Sequence, residues 1–224
     1  MTIRSLALLT RPAPELLHEA LQAASIVCAY VAIYVALDWI SFFQALPGTC
    51  LTPWNPPPAA SLALLVIKGL RFAPSLFVAG VISDVLVVGC SPGMPAAVAT
   101  NSIAAIGYTG VAAALRRFAH ANQGFPRVAN IAHFLLIVGT GTLAVATLAV
   151  TALVMINGLL PRLAYPAVLH YFIGDLTGIV GLLPAVLTIP HALVHENHIG
   201  GVCSPGLSIS GFEQRSACRD VSSD

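Results

Sequence analysis

Apolar residues follow one another along this chain in long stretches that no charged residue interrupts. The three longest uncharged runs cover residues 39–67, 85–115 and 128–161. A helix needs about 20 apolar residues to cross a hydrocarbon core about 30 Å thick. Each run is therefore long enough for at least one crossing, and the pattern predicts a membrane protein.

Proline, glycine and charged positions divide these stretches into six predicted membrane-spanning helices. The second span is about 25 Å long at 1.5 Å per residue, which makes a re-entrant hairpin the alternative at that point. Such a hairpin would place Lys68 and Arg71 deep in lipid, so we predict a full crossing. The predicted spans are residues 20–43, 54–70, 72–89, 96–115, 131–157 and 165–189.

The two ends of the chain differ from the membrane domain predicted at residues 20–190. Residues 1–19 are expected to form a cytoplasmic amphipathic lead, because the apolar stretch at 6–9 is too short for a cleavable signal peptide. Residues 191–224 carry Gly, Ser and mixed charges without an apolar period, which predicts a flexible cytoplasmic tail. The tail contains three histidines at a spacing that metal sites use, His191, His195 and His198. A flexible linker is the favoured interpretation of this segment. We therefore predict no metal and no cofactor.

The cations sort onto alternate connections and thereby predict the orientation. Nine of the ten Lys and Arg residues precede span one, follow span six, or join spans two to three and four to five. Arg162 is alone on the other side. By the positive-inside rule both termini are cytoplasmic, as expected for a multi-pass protein of the bacterial inner membrane.

Composition excludes several classes of protein. Hydrophobic residues make up 57% of the chain and charged residues 8%, with a net charge of +1. A soluble domain carries about 25% charged residues, so a soluble enzyme, a disordered chain and a nucleic-acid binder are all excluded. The lipid bilayer is the expected partner, and a homodimer is a candidate assembly. Cys50 and Cys90 fall in predicted outward loops, where either a disulfide or two free thiols can exist.

Four ionisable residues are predicted to lie inside the membrane, which makes them candidates for function. The helical rise places Asp38, Asp84, His170 and Asp175 roughly 7–15 Å below the outer surface. These groups can line a polar cavity that opens outward. The alternative is that each one hydrogen-bonds to a neighbouring helix and fixes packing.

Asp175 is the leading candidate because of its sequence neighbours. Gly174 and Gly178 flank it as a small-xxx-small pair that allows close approach of another helix. Tyr171, one turn earlier, is positioned to hydrogen-bond the carboxylate. Pro184 predicts a kink further along the same span.

The proline-rich string WNPPP at residues 54–58 is rigid and poor in backbone donors. Trp54 is expected at the depth of the membrane interface. The string is either a stiff outer loop with an aromatic anchor or a lid that faces a ligand.

Two enzymatic interpretations were weighed and set aside, and no catalytic residue is predicted. Paired aspartates on different spans are typical of intramembrane aspartyl proteases, but Phe172 stands where those enzymes carry glycine, and Asp84 follows Ser83 rather than tyrosine. A bis-histidine haem needs two imidazoles at one depth, and His133 and His170 are predicted near opposite faces.

WNPPP at 54–58, then an apolar run, then GLRFAPSLF at 69–77 resembles the first type of membrane-associated sensor (MASE) domain. The string GDLTG at 174–178, followed by Pro184, is similar to that family's sixth-helix signature. The resemblance covers roughly residues 20–190. It implies an input module of a bacterial signalling system, with catalysis in a cytoplasmic kinase or cyclase output domain as partner.

The sequence therefore predicts an all-α bundle of six spans that senses a periplasmic or membrane-borne cue and relays it by helix repacking. A small-molecule transporter, or the substrate-binding membrane subunit of one, is the alternative. Ligand-contact or coupling roles are predicted for six residues: Asp175, Asp84, Asp38, His170, Tyr171 and Trp54.

Overall fold

The computed structural model describes residues 13–41, 54–87, 93–121, 128–156 and 159–199, and every regular element in these ranges is helical. Six α-helices follow one another, with a short 3-10 turn at Leu70–Phe72 and another at Pro161–Leu163. The all-α fold and the number of helices agree with the prediction. The helices are α1 Ala13–Ser41, α2 Pro57–Lys68, α3 Ala73–Leu86, α4 Met94–Ala121, α5 Val128–Met155 and α6 Ala164–Ile199.

Within the described residues, four helices are long and apolar enough to cross a membrane, as expected of a multi-pass membrane protein. Their candidate spans are Leu17–Ser41, Met94–Phe118, Ile131–Met155 and Pro161–Val186. The cytoplasmic placement of the termini follows from the charge pattern alone and stays a prediction.

Helices α2 and α3 are shorter than the full crossings predicted at residues 54–70 and 72–89, and those two spans are wrong in length. They contain 12 and 14 residues, which correspond to about 18 and 21 Å. The reason is local. The proline-rich string stays non-helical as far as Pro56, and Gly69, with φ +105°, ends α2.

Both ends of α2 are fixed by their sequence. Pro57 and Pro58 occupy the first turn, where the missing N–H groups cost no helical hydrogen bond. At the other end the Arg116 guanidinium donates to the carbonyl oxygens of Leu65 at 3.0 Å and Val66 at 3.1 Å. A cation at the C-terminus of a helix satisfies free carbonyls and complements the helix dipole. Arg116 thus joins α4 to the end of α2.

Glycines allow the long helices to pack closely. A Cβ on Gly107 of α4 would lie 2.3 Å from a Val145 methyl of α5, and a Cβ on Gly141 of α5 would lie 2.3 Å from a Val111 methyl of α4. Small residues at helix contacts are typical of membrane bundles. The two contacts show that α4 and α5 run antiparallel.

The described helices carry apolar residues outward and bury small polar groups. Large apolar side chains such as Ile106, Leu136 and Leu148 are well exposed. The interior contains Ser61, Ser83, Thr142 and Asp175 beside the apolar core. This distribution suits a lipid environment, in which polar groups find partners within the bundle.

The chain divides into two compact units, Met1–Thr188 and Ile189–Asp224. Helix α6 continues through Ile199, although residues from 191 onward were expected to form a flexible tail. The sequence has no glycine between Gly181 and Gly200, and the described helix stops directly before Gly200.

Candidate functional site

Asp175 is fully buried and holds three separate parts of the chain together. The Asn55 side-chain amide donates to its Oδ1 at 2.6 Å, and the Tyr108 hydroxyl donates to its Oδ2. Asn55 precedes α2, Tyr108 lies on α4 and Asp175 on α6. These three residues are called the Asp175 cluster below.

The Asp175 cluster lies near the middle of two candidate membrane-spanning helices. Tyr108 is close to the centre of the span Met94–Phe118, and Asp175 is close to the centre of the span Pro161–Val186. At 1.5 Å per residue, each of the two residues is about 15–21 Å from either end of its span. A carboxylate at this depth requires hydrogen-bond partners, which the cluster supplies.

The segment that approaches Gly174 and Gly178 is the non-helical stretch before α2 rather than another helix. The Asn55 backbone N–H donates to the Gly174 carbonyl oxygen at 3.0 Å. A Cβ on Gly178 would lie 2.0 Å from the Asn55 carbonyl oxygen and 3.0 Å from Pro56 Cα. Gly174 and Gly178 were predicted to permit the close approach of another segment, and in the structure that segment is residues 55–56.

Residues 54–56 are therefore non-helical at the middle of the bundle. Non-helical backbone is tolerated at this depth only where protein or a water-filled cavity surrounds it. The bond to Gly174 meets that requirement for Asn55. Trp54, which precedes Asn55 in the sequence, is 38% exposed, and its place at the membrane interface stays a prediction.

A second polar cluster contains Asp38, Ser83, Asp84 and Asn101, called the Asp38–Asp84 cluster below. The Ser83 hydroxyl donates to Asp38 Oδ2 at 2.5 Å, and the Asn101 amide donates to Asp84 Oδ2 at 2.6 Å. Both aspartates are half-buried. Asp38 lies in the last turn of α1, so this cluster lies nearer one end of the bundle.

Tyr34 and Tyr171 connect the two clusters electrostatically. Tyr171 is within electrostatic range of Asp175, Asp84 and Asp38. Tyr34 is within range of Asp38, Asp84 and Tyr171. Tyr108, not Tyr171, donates the hydrogen bond to Asp175, and a polar cavity lined by Asp38, Asp84, His170 and Asp175 stays a prediction.

The geometry does not suit Asp84 and Asp175 as a carboxylate pair that shares one proton. Asp84 bonds to Asn101 and Asp175 to Tyr108, and these partners are two helical turns apart on α4. The separation along the helix is about 10 Å, whereas the two acids of an aspartyl protease are about 3 Å apart.

Two other predicted residues lie on α6. His170 is half-buried on α6, and Pro184 is exposed on the same helix, which continues through it. Cys50 and Cys90 lie outside the described residues, as do the side chains of three tail histidines: His191, His195 and His198.

Sequence reasoning missed the neutral partners Asn55, Tyr108 and Asn101. Asn101 and Tyr108 are two helical turns apart in an uncharged span, which places them on one helix face. Tyr34 and Asp38 likewise share a face of α1, one turn apart. Polar residues spaced one or two helical turns apart within an apolar span were the feature of the sequence that could have predicted these partners.

Comparison of the chain with protein-family models, with curated proteins and with solved structures found no match in any of the three.

Proposed function

We propose that this protein is a sensory input module of a bacterial signalling system, in which the Asp175 cluster is the switching element. The observation that carries the proposal is that one buried carboxylate joins the start of α2, the middle of α4 and the middle of α6. A cue can pass a signal only if it stabilises one packing state over another. A cluster that joins three segments by a few hydrogen bonds is suited to such a change.

Helix α6 is the proposed output element. It carries Asp175 and continues as helix past the end of its candidate span at Val186, as far as Ile199. A shift of α6 around Asp175 is the movement that the output protein is proposed to read. The proposed partner is a cytoplasmic kinase or cyclase output protein.

The resemblance to the MASE domain supports the same proposal. Its two motifs are far apart in sequence, yet Asn55 of the first motif contacts Gly174, Asp175 and Gly178 of the second. Residues that join distant motifs in space are the ones on which a shared mechanism would depend.

The test is a fusion of the full chain to a histidine kinase, assayed in membranes. Asp175→Asn keeps the size of the side chain and removes its charge. The kinase output is expected to change at unchanged membrane abundance. Glu19→Gln, which removes a carboxylate from an exposed position on α1, is the matched control and is expected to leave output unchanged. Equal output from wild type and Asp175→Asn would contradict the proposal.

A transporter is the second candidate, and the position of α2 favours it. This helix begins beside the middle of α4 and ends beside Arg116, so it covers about half of the membrane. Half-helices whose N-termini lie near the bilayer midplane are typical of secondary transporters. Solute uptake by the purified protein in liposomes would support this candidate and contradict the sensor.

The proposed location is the inner membrane, with both termini cytoplasmic. Reporter fusions at Gly124 and Gly201 are expected to report the cytoplasm, and fusions at Gly48 and Gly93 the periplasm. A periplasmic signal at Gly201 would contradict the six-helix alternation.

A further inference from the structure

An open apolar groove runs between α1 and α3. Its volume is about 730 Å³, which is within the range of about 300–1,000 Å³ that is typical of ligand sites. Side chains from Val27 to Trp39 on α1 line one side of the groove, and side chains from Val78 to Val87 on α3 line the other side. Every lining side chain among the described residues is apolar, so the groove suits an apolar ligand.

The sequence of α1 explains why this space is unfilled. Cys28, Ala32 and Ala36 line the groove at intervals of four residues, so the three small side chains share one face of the helix. On the other side of the groove, Val78 and Ile82 are also four residues apart. Small side chains in a row leave free the volume that larger ones would occupy, and the result is a groove along the helix.

The groove has the length of one half of a membrane. Within the candidate span Leu17–Ser41, the lining begins at Val27, near the centre, and ends at Trp39, close to the end of the span. At 1.5 Å per residue this stretch is about 18 Å long, and one leaflet of the hydrocarbon core is about 15 Å thick. A lipid chain of one leaflet matches this length, whereas a membrane-spanning helix of a second copy would follow α1 along its entire span.

The groove is open along the outer surface of the bundle. Cys28 is exposed at its inner end, and Leu86 and Trp39, at the other end, are 70% and 64% exposed. In a bilayer this surface meets hydrocarbon, and a gap beside it forfeits dispersion contacts unless a chain fills the gap. A tryptophan close to the end of a span is typical of the boundary between hydrocarbon and headgroups. Trp39 therefore lies where the polar part of a bound lipid would begin.

We propose that the groove between α1 and α3 binds one hydrocarbon chain of a membrane lipid, which enters sideways from the leaflet in which α1 ends. Packing holds the chain, because helices in a bilayer gain no hydrophobic driving force over the surrounding lipid and associate through close contacts. The binding site is argued from its own geometry. The further step, that the bound chain is the cue of the sensor, rests on the proposed function.

The two sides of the groove are joined to the Asp38–Asp84 cluster. The Ser83 hydroxyl of α3 donates to Asp38 Oδ2 of α1 at 2.5 Å, and both residues are next to groove-lining residues in the sequence. Asn101 of α4 donates to Asp84 of α3, and α4 also carries Tyr108 of the Asp175 cluster. A chain that changes the spacing of α1 and α3 therefore acts on the bond between Ser83 and Asp38, and through α3 on α4.

The test is photo-crosslinking of the purified full chain in phosphatidylcholine nanodiscs. The probe is a phosphatidylcholine with a diazirine on one chain, diluted in unmodified lipid, and mass spectrometry locates the crosslinked residues. Residues that line the groove are expected to be crosslinked roughly threefold more often than other lipid-facing residues. The comparison residues are exposed on α4 and α5: Ile106, Leu136 and Leu148. Equal crosslinking of the two sets would overturn the inference.

Variants that fill the groove identify the site. Ala32→Leu and Ala36→Leu place larger side chains in the groove and are each expected to lower its crosslinking roughly threefold, with no change at Ile106. Ala29→Leu is the matched control, because Ala29 is exposed on the same helix and does not line the groove. Unchanged crosslinking of the groove in folded Ala32→Leu and Ala36→Leu would overturn the inference, and the wild-type comparison decides it if neither variant folds.

A second copy of the chain is the alternative occupant, and oxidation tests for it. If α1 of another copy lay in the groove, the Cys28 thiols of the two copies would come close together. Copper phenanthroline would then produce a disulfide-linked dimer that is absent from Cys28→Ser. We expect no dimer that depends on Cys28, and its appearance would overturn the lipid site.

The site and the sensor fail separately. Uniform crosslinking of all lipid-facing residues, together with a changed kinase output in Asp175→Asn, would overturn the lipid site and leave the sensor standing. If the bound chain is the cue, Ala36→Leu in the kinase fusion changes the output and Ala29→Leu does not. Equal output from wild type and Ala36→Leu, with the crosslinking as expected, would support the site and contradict its role as the place where the cue binds.

Discussion

The Gly178 Cα atom lies so close to the Asn55 carbonyl group that a Cβ at position 178 would be 2.0 Å from the carbonyl oxygen and 2.6 Å from its carbon. The atoms in the way belong to the backbone. They cannot move as a flexible side chain can, so α6 and the segment before α2 are locked together at this point.

Gly178→Ala is therefore expected to destabilise the fold by about 1–3 kcal/mol, the usual cost of overpacking. Gly181→Ala is the matched control, because Gly181 has no atom within 4 Å of its added Cβ. Denaturant unfolding of both variants in detergent micelles measures the difference. Equal stability of the two variants would contradict the contact.

The hydrogen bonds to Asp175 give a second prediction. Asn55→Ala or Tyr108→Phe removes one donor from a buried carboxylate, which costs about 1–3 kcal/mol when the acceptor is left unsatisfied. Because both donors serve the same side chain, the two losses are expected to be non-additive. A double-mutant cycle on the free energy of unfolding measures the coupling. Strict additivity would show that the two donors act independently.

The sequence predicted the all-α class of fold well, because the length and the hydrophobicity of each apolar run are local properties of the sequence. It also identified Asp175, Gly174 and Gly178. It did not identify Asn55 and Tyr108, because a neutral residue becomes part of a site only through the tertiary contact that brings it to the charge. The length of α2 was missed although local residues set it, because the proline-rich string stays non-helical as far as Pro56 and Gly69 ends the helix.

Arg116 provides a prediction about the end of α2. Arg116→Leu leaves the carbonyl groups of Leu65 and Val66 without their donor, and is expected to cost about 1–3 kcal/mol. Arg117, exposed on the same helix, is the control, and Arg117→Leu is expected to change stability by about 0.5 kcal/mol or less. Thermal unfolding of both variants in one detergent compares them.

The contact between α4 and α5 can be tested by enlarging the side chain at position 107 and then shortening the one at position 145. Gly107→Ala places a Cβ 2.3 Å from Val145 Cγ2 and 3.6 Å from Val145 Cβ. The first distance is a clash and the second is ordinary contact, so the obstacle is the valine methyl alone. Gly107→Ala is expected to destabilise the protein by about 1–3 kcal/mol.

Val145→Ala in the Gly107→Ala background removes that methyl and is expected to restore part of the lost stability, although Val145→Ala alone costs buried contacts. Gly139→Ala, with no atom within 4 Å of the added Cβ, is the matched control on α5. Unfolding of the two single variants and the double variant gives the coupling energy. Strictly additive losses would contradict the contact between Gly107 and Val145.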